Sequence, residues 1–247
     1  MFENLPRKFL NSIRYKSEVS LQKFLKKHNI FIHKSEKSRD SHSIDYIRKQ
    51  LILSCKGVLH IGAHYGQEAS FYSDLGASVM WVEAMPEKYT VLCKKLSEFP
   101  NQKVMCALLG SANKNKIRFN VSSNDGASSS IYSFGDNTQF KNLEMVRSVF
   151  LKMKRLDSCF SIKDISAYPH WVIDVQGAEL EVLKGAGDLL RYCHSLEIEV
   201  TSRNLYLGGA NAQDVINFLN LNGFIALQKH KIGLHEDLIF IRGARCH

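Results

Sequence analysis

The chain has 247 residues, 45% of them hydrophobic and 23% charged, with a formal net charge of +9. Those proportions are ordinary for a globular protein and leave room for one sizeable domain plus an appendage. No apolar run approaches the ~20 residues needed to span a bilayer, and the first 16 residues, MFENLPRKFLNSIRYK, lack the uninterrupted apolar core of a secretory signal, so a cytoplasmic location is expected.

The charge is uneven. Residues 1–50 hold 12 Lys/Arg against 5 Asp/Glu, whereas 51–247 hold 21 against 19. Leu21, Phe24, Leu25 and His28 fall at helical spacing with Lys23, Lys26 and Lys27 on other faces, which predicts a basic amphipathic arm. Such an arm suits an acidic partner, for instance peripheral contact with an anionic membrane; the alternative is a solvated arm packing its own apolar stripe on the domain. The polar run 34–43 reads as a linker before a helix near 43–54. The expected division is a helical extension over 1–50 and the main domain over 51–247.

From residue 57 short apolar runs alternate with helical patterns. The runs GVLHIG (57–62), SVMWVE (78–83), KVMCALLG (103–110), WVIDV (171–175) and LEIEV (196–200) read as buried parallel strands. Gln67–Leu75, Pro86–Glu98 and Glu179–Leu190 read as the helices between them. SVFLKMKRLD (148–157) reads as an edge strand with Asp157 capping the next helix, and 223–230 with 235–242 as a closing antiparallel hairpin. The pattern predicts an α/β fold with a doubly wound, Rossmann-like sheet. The six cysteines show no CxxC or zinc-finger spacing and are expected to be buried, reduced thiols.

The turn after the first strand, Gly62-Ala63-His64-Tyr65-Gly66, lets backbone approach a ligand and offers helix N–H donors. Glu83 closes the next strand, where a carboxylate accepts hydrogen bonds from a ribose diol. The G-x-G-x-x-G spacing that seats a pyrophosphate is missing, so a nucleoside cofactor without phosphates, such as S-adenosylmethionine, fits better than a dinucleotide.

Several blocks in order resemble the FkbM family of methyltransferases: HIGAHYGQE (60–68), WVEAMP (81–86), SSNDGASSSI (122–131), RLDS (155–158), IDVQGAELEVLKGA (173–186), and LEIEV (196–200) followed by Tyr206. The resemblance covers roughly 57–242 and implies a class I methyltransferase fold, with a mostly parallel seven-stranded sheet and an antiparallel C-terminal hairpin. It also implies S-adenosylmethionine as donor, S-adenosylhomocysteine as product, and O-methylation of a sugar or hydroxylated natural product. His60 stands where many members carry Asp; a neutral imidazole can still accept a hydrogen bond from the cofactor's ammonium group. The residues expected at the cofactor are His60, Gly62, Ala63, His64, Gly66, Gln67, Glu68, Glu83 and Ala84.

Methyl transfer to an alcohol needs alignment and a group that takes the hydroxyl proton. Asp174 is expected as base or substrate anchor, with Glu179 and Glu199 shaping the polar pocket. Plainer readings of the last two are a carboxylate at a helix N-terminus and a salt bridge with Arg203. Asn124, Ser128, Ser129 and Ser130 in the polar segment 122–140, together with Gln176, Arg203 and Tyr206, are the candidate contacts for a carbohydrate acceptor. Asp174 and Glu199 as Mg²⁺ ligands are an alternative that is not expected. A nucleic-acid acceptor is not expected either: the position of a D/N-P-P-Y/F motif holds Asp174-Val175-Gln176-Gly177. The remaining competitor is a non-catalytic module that uses the same fold for binding.

Overall fold

A computed structural model describes residues 44–135, 142–201, 205–232 and 235–243, the side chains of 228–232 excepted. The expectations for the basic arm therefore fall, up to residue 43, outside the described residues, as does Arg203.

The first described helix, α1 (Ile44–Cys55), leads into β1 (Gly57–Ile61), α2 (Ala69–Asp74), β2 (Ser78–Glu83), α3 (Pro86–Leu96) and β3 (Gln102–Cys106). Next come β4 (Leu108–Leu109), β5 (Lys114–Ser122), β6 (Met145–Lys154), α4 (Leu156–Cys159), α5 (Ile162–Ile165) and β7 (His170–Ile173). The chain continues through α6 (Glu179–Ala186), a 3₁₀ turn (Gly187–Tyr192), β8 (Ser195–Thr201), α7 (Ala212–Leu221), β9 (Phe224–Ile232) and β10 (His235–Arg242).

Seven strands form one sheet in the order β3-β2-β1-β7-β8-β10-β9. β10 runs antiparallel to both neighbours, and the other pairings are parallel. Pleating sends Leu59 and Ile61 of β1 into a core with Trp171, Ile173, Val182, Leu183 and Leu196, while Val58 faces Ala69, Tyr72, Val79, Trp81 and Leu96. Both sheet faces are thus covered, as parallel strands require. The direction of the order reverses at β1 and β7, and the ends of those strands open a crevice.

Several elements depart from expectation. The run 103–110 is two strands: β3 stays in the main sheet, and β4 joins a second sheet ordered β4-β6-β5. β5 was not anticipated; its Ile117, Phe119 and Val121 face inward at period two. Helix α6 ends at Ala186, before Gly187 at φ +50°, instead of running to Leu190. Asp157 lies inside α4 and pairs with Arg155 instead of capping the helix. Of the five cysteines in the described residues only Cys193 is buried, and none is disulfide-bonded; Cys106 is exposed because β3 is an edge strand. α1 crosses the expected boundary at residue 50: Ile44, Ile47 and Leu51 pack on Ile239 and Ile241, so among the described residues the packed body includes the helix from Ile44.

Candidate active site

The crevice holds a cavity of about 250 Å³ walled by the ends of β1, β2 and β7 on one side and by the second sheet with residues 126–131 on the other. Its geometry starts with two tight turns that touch. Gly62, at φ +94°, sits where a Cβ would come within 1.7 Å of the Asp174 carbonyl oxygen. Only glycine lets the β1 turn pass so close to the β7 turn. Ile61 O accepts from Asp174 N–H at 2.9 Å, and Val82 O accepts from both Gly62 and Ala63 N–H. Gln176 and Gly177 adopt positive φ in the second turn, and a Cβ on Gly177 would meet the Tyr206 ring at 2.9 Å.

Glu83 lines the cavity from the end of β2, its Oε2 accepting from His64 N–H and its Oε1 from Met85 N–H, each at 2.8 Å. Burial pushes its pKa up, and those N–H donors oppose the shift. His60 also lines the cavity, yet its Nδ1 is engaged with the Tyr72 hydroxyl at 3.0 Å and its ring stacks on Trp81. Burial drives its pKa down to about 3, so the ring is neutral and does not repel a cation. His64, Ala63, Gly62, Gln67, Glu68 and Ala84 line the same cavity; Gly66 does not. Met85, Leu108 and Phe119 supply an apolar wall.

Of the residues expected to act on the acceptor, Asp174, Gln176 and Ser129 reach the cavity wall. The Gln176 amide nitrogen donates to Asp174 Oδ1 at 2.6 Å and to Glu199 Oε1 at 3.3 Å. The Tyr206 hydroxyl lies 2.6 Å from Gln176 Oε1, fixing that amide from behind. Burial, then the Glu199 charge, holds Asp174 well above the usual carboxylate range. Glu199 is not on the wall, and its ionic partner among the described residues is His235 Nδ1, at 2.6 Å. Glu179 is turned away too: buried under the second turn, its Oε1 accepts from Val175 and Gly177 N–H at 3.2 and 2.9 Å. It shapes the pocket through backbone and does not contact it.

The polar segment folds over the first turn. His64 Nε2 meets Asp125 O at 3.1 Å, and Lys88 Nζ reaches Asp125 Oδ1 at 3.2 Å. Asn124, Ser128 and Ser130 do not line the cavity, because their side chains are spent on the segment itself. Asn124 Nδ2 donates to Ser128 Oγ, and Ser130 Oγ accepts from Tyr132 N–H. Two site residues escaped the sequence reading. Lys88, buried on the cavity wall with its ammonium 3.8 Å from the Tyr65 ring centroid, follows the WVEAMP block by two residues. His235 comes from the far end of the chain and gives no local signal. Among the described residues no group of three or more His, Cys, Asp or Glu is placed to hold a metal ion.

Strand order, antiparallel β10 and a glycine turn facing a strand-end carboxylate define a Rossmann-like methyltransferase domain. The chain belongs to the FkbM methyltransferase family: the methyltransferase FkbM domain matches residues 60–226. Its cofactor is S-adenosylmethionine, with S-adenosylhomocysteine as product. The residues present fit that cofactor. Glu83 would hold the ribose diol and the apolar wall of Met85, Leu108 and Phe119 a flat base, and Gly62, Ala63 and Glu68 line the same cavity.

No curated protein matches the chain. Solved structures similar to it include an uncharacterized protein from Listeria monocytogenes serotype 4b, at 10% identity over 80% of this chain and 68% of that one, TM-score 0.47. A putative RNA methyltransferase from Pyrococcus horikoshii shows 14% identity over 86% and 88%, TM-score 0.41. A SAM-dependent methyltransferase from Aquifex aeolicus shows 11% over 76% and 81%, TM-score 0.42.

Proposed function

We propose that the chain is an O-methyltransferase acting on a hydroxyl of a sugar, glycan or glycosylated natural product. The observation that carries this reading is the Asp174 carboxyl, set on the wall of the same cavity as the Gly62 turn and Glu83 and oriented by Gln176. When bound, S-adenosylmethionine supplies an electrophilic methyl group on a sulfonium centre. Asp174 accepts the proton that the acceptor hydroxyl loses as its oxygen takes the methyl. A carboxylate with a raised pKa is a better match for that proton than an ordinary one, and a positioned base is worth about 10²–10⁴-fold. Gln176 keeps the carboxyl from rotating, its amide nitrogen bonded to Asp174 and its amide oxygen to the Tyr206 hydroxyl.

The test is labelled-methyl transfer from S-adenosylmethionine onto free, nucleotide-linked and lipid-linked sugars, with calorimetric titration of the cofactor alongside. Asp174→Asn is expected to lower turnover by at least about 100-fold, with cofactor affinity nearly unchanged. Full activity in that variant removes Asp174 from the mechanism. Tight cofactor binding without transfer to any hydroxylated acceptor favours the binding-module reading instead.

A further inference from the structure

The second sheet has two faces with different chemistry. Inward, Leu108, Leu109 and Phe119 form part of the cavity wall. Outward, the period-two alternation of β6 presents Val146, Ser148, Phe150, Lys152 and Lys154, all exposed, and β5 adds Lys116 and Arg118, with Arg118 opposite Phe150. Val146 and Phe150 are each 58% exposed. β5 and β6 together carry six Lys/Arg and no carboxylate, although residues 51–247 as a whole are close to neutral. Arg147 is paired with Glu87; Lys116, Arg118, Lys152 and Lys154 have no carboxylate partner among the described residues. A run of unscreened cations of one sign costs self-repulsion unless an anionic partner relieves it.

We infer that this outer face docks on an anionic phospholipid surface, with Phe150 and Val146 entering the headgroup region and Lys116, Arg118 and Lys152 meeting lipid phosphates. Two protruding apolar side chains among cations on an open sheet face are the composition of a membrane-surface contact. A soluble acidic polysaccharide is the less fitting polyanion. It would stack sugar rings on Phe150, and Lys116 Nζ already lies over that ring, 4.4 Å from its centroid. The inner face of the same strands walls the cavity, so docking would bring the site beside the lipid surface whatever acceptor it takes.

The experiment is sedimentation of the full-length chain with vesicles of phosphatidylcholine alone or mixed with phosphatidylglycerol, with dextran sulfate as a soluble competitor. Binding is expected only to the mixed vesicles. Replacing Lys116, Arg118 or Lys152 by Gln should weaken it about five-fold for each cation, and Phe150→Ser should weaken it further. Calorimetric S-adenosylmethionine binding should stay unchanged in these surface variants; Val146→Ser supplies a second apolar test should Phe150→Ser fail to fold. Undiminished sedimentation of the folded variants overturns the inference and assigns membrane binding to residues 1–43. Retention on dextran sulfate with no loss in Phe150→Ser or Val146→Ser overturns it in favour of a soluble polyanion.

Discussion

Glu179 and Asp174 stand five positions apart and turn in opposite directions, one under the backbone and one to the cavity. Burial pushes Glu179 up to about 7, against the N–H groups it accepts from. Its folded pKa is raised, so the stability it lends is complete below the unfolded carboxylate pKa and is lost as pH rises through about 7. Glu179→Gln keeps an oxygen for both N–H donors but cannot ionise. Its melting temperature should therefore fall less between acid and mildly alkaline pH than that of the wild type, a comparison scanning calorimetry makes directly. His235 shifts the other carboxyl. Its own pKa is raised, chiefly by its bond to Glu199, and as a cation it offsets the charge that lifts Asp174. His235→Gln leaves Glu199 uncompensated, so the acidic limb of the pH–rate profile should move to higher pH with cofactor affinity unaltered. Asp174 and Glu83 are legible in the sequence as strand-end carboxylates beside the point where the sheet order reverses; Glu199, one strand further on, reads the same way and does not reach the cavity. His235 is not legible, since its meeting with Glu199 depends on the antiparallel pairing of β10 with β8.

At the level of elements, the turn from β7 to α6 concentrates strain that other groups repay. Gly177, at φ +96° with Tyr206 in contact, admits no side chain. Gly177→Ala is expected to cost about 1–3 kcal/mol in denaturant unfolding and to depress turnover by displacing Gln176, whereas the same change at Gly223 meets no neighbouring atom and pays only for its φ of +81°. The main-sheet strands could be read from their apolar runs, because strands buried on both faces write themselves as such. The second sheet could not. β5 carries its signal in Ile117, Phe119 and Val121, diluted by the cations of its outward face, and β4 is separated from β3 by Ala107, which marks no boundary of its own. Which sheet a strand joins is decided by partners far along the chain. Asn124, Ser128 and Ser130 of the polar segment stay off the cavity wall for a related reason: their composition suited a carbohydrate, but short polar side chains also satisfy their own loop.

Over the whole molecule, α1 acts as a strap across the sheet. Arg48 donates to both oxygens of Glu197 on β8, with Glu197 largely buried, and the helix seats Ile44, Ile47 and Leu51 on β10. Arg48→Met strands that carboxylate and should lower unfolding free energy by about 1–3 kcal/mol. A chain begun at residue 51 loses the pair and half the helix, and should melt well below one begun at 43. The composition break at residue 50 concealed this, because charge counts do not register which basic residue has a buried partner. Among the described residues no helix is long and apolar enough to cross a membrane.

The contact of Gly62 with the Asp174 carbonyl joins two turns that belong to different strands and line one cavity. In the proposed reaction, donor pocket and proton acceptor therefore sit on one crossing of two turns. On that reading, a different acceptor asks for different residues at the rim, while the crossing that sets methyl donor against proton acceptor stays as it is.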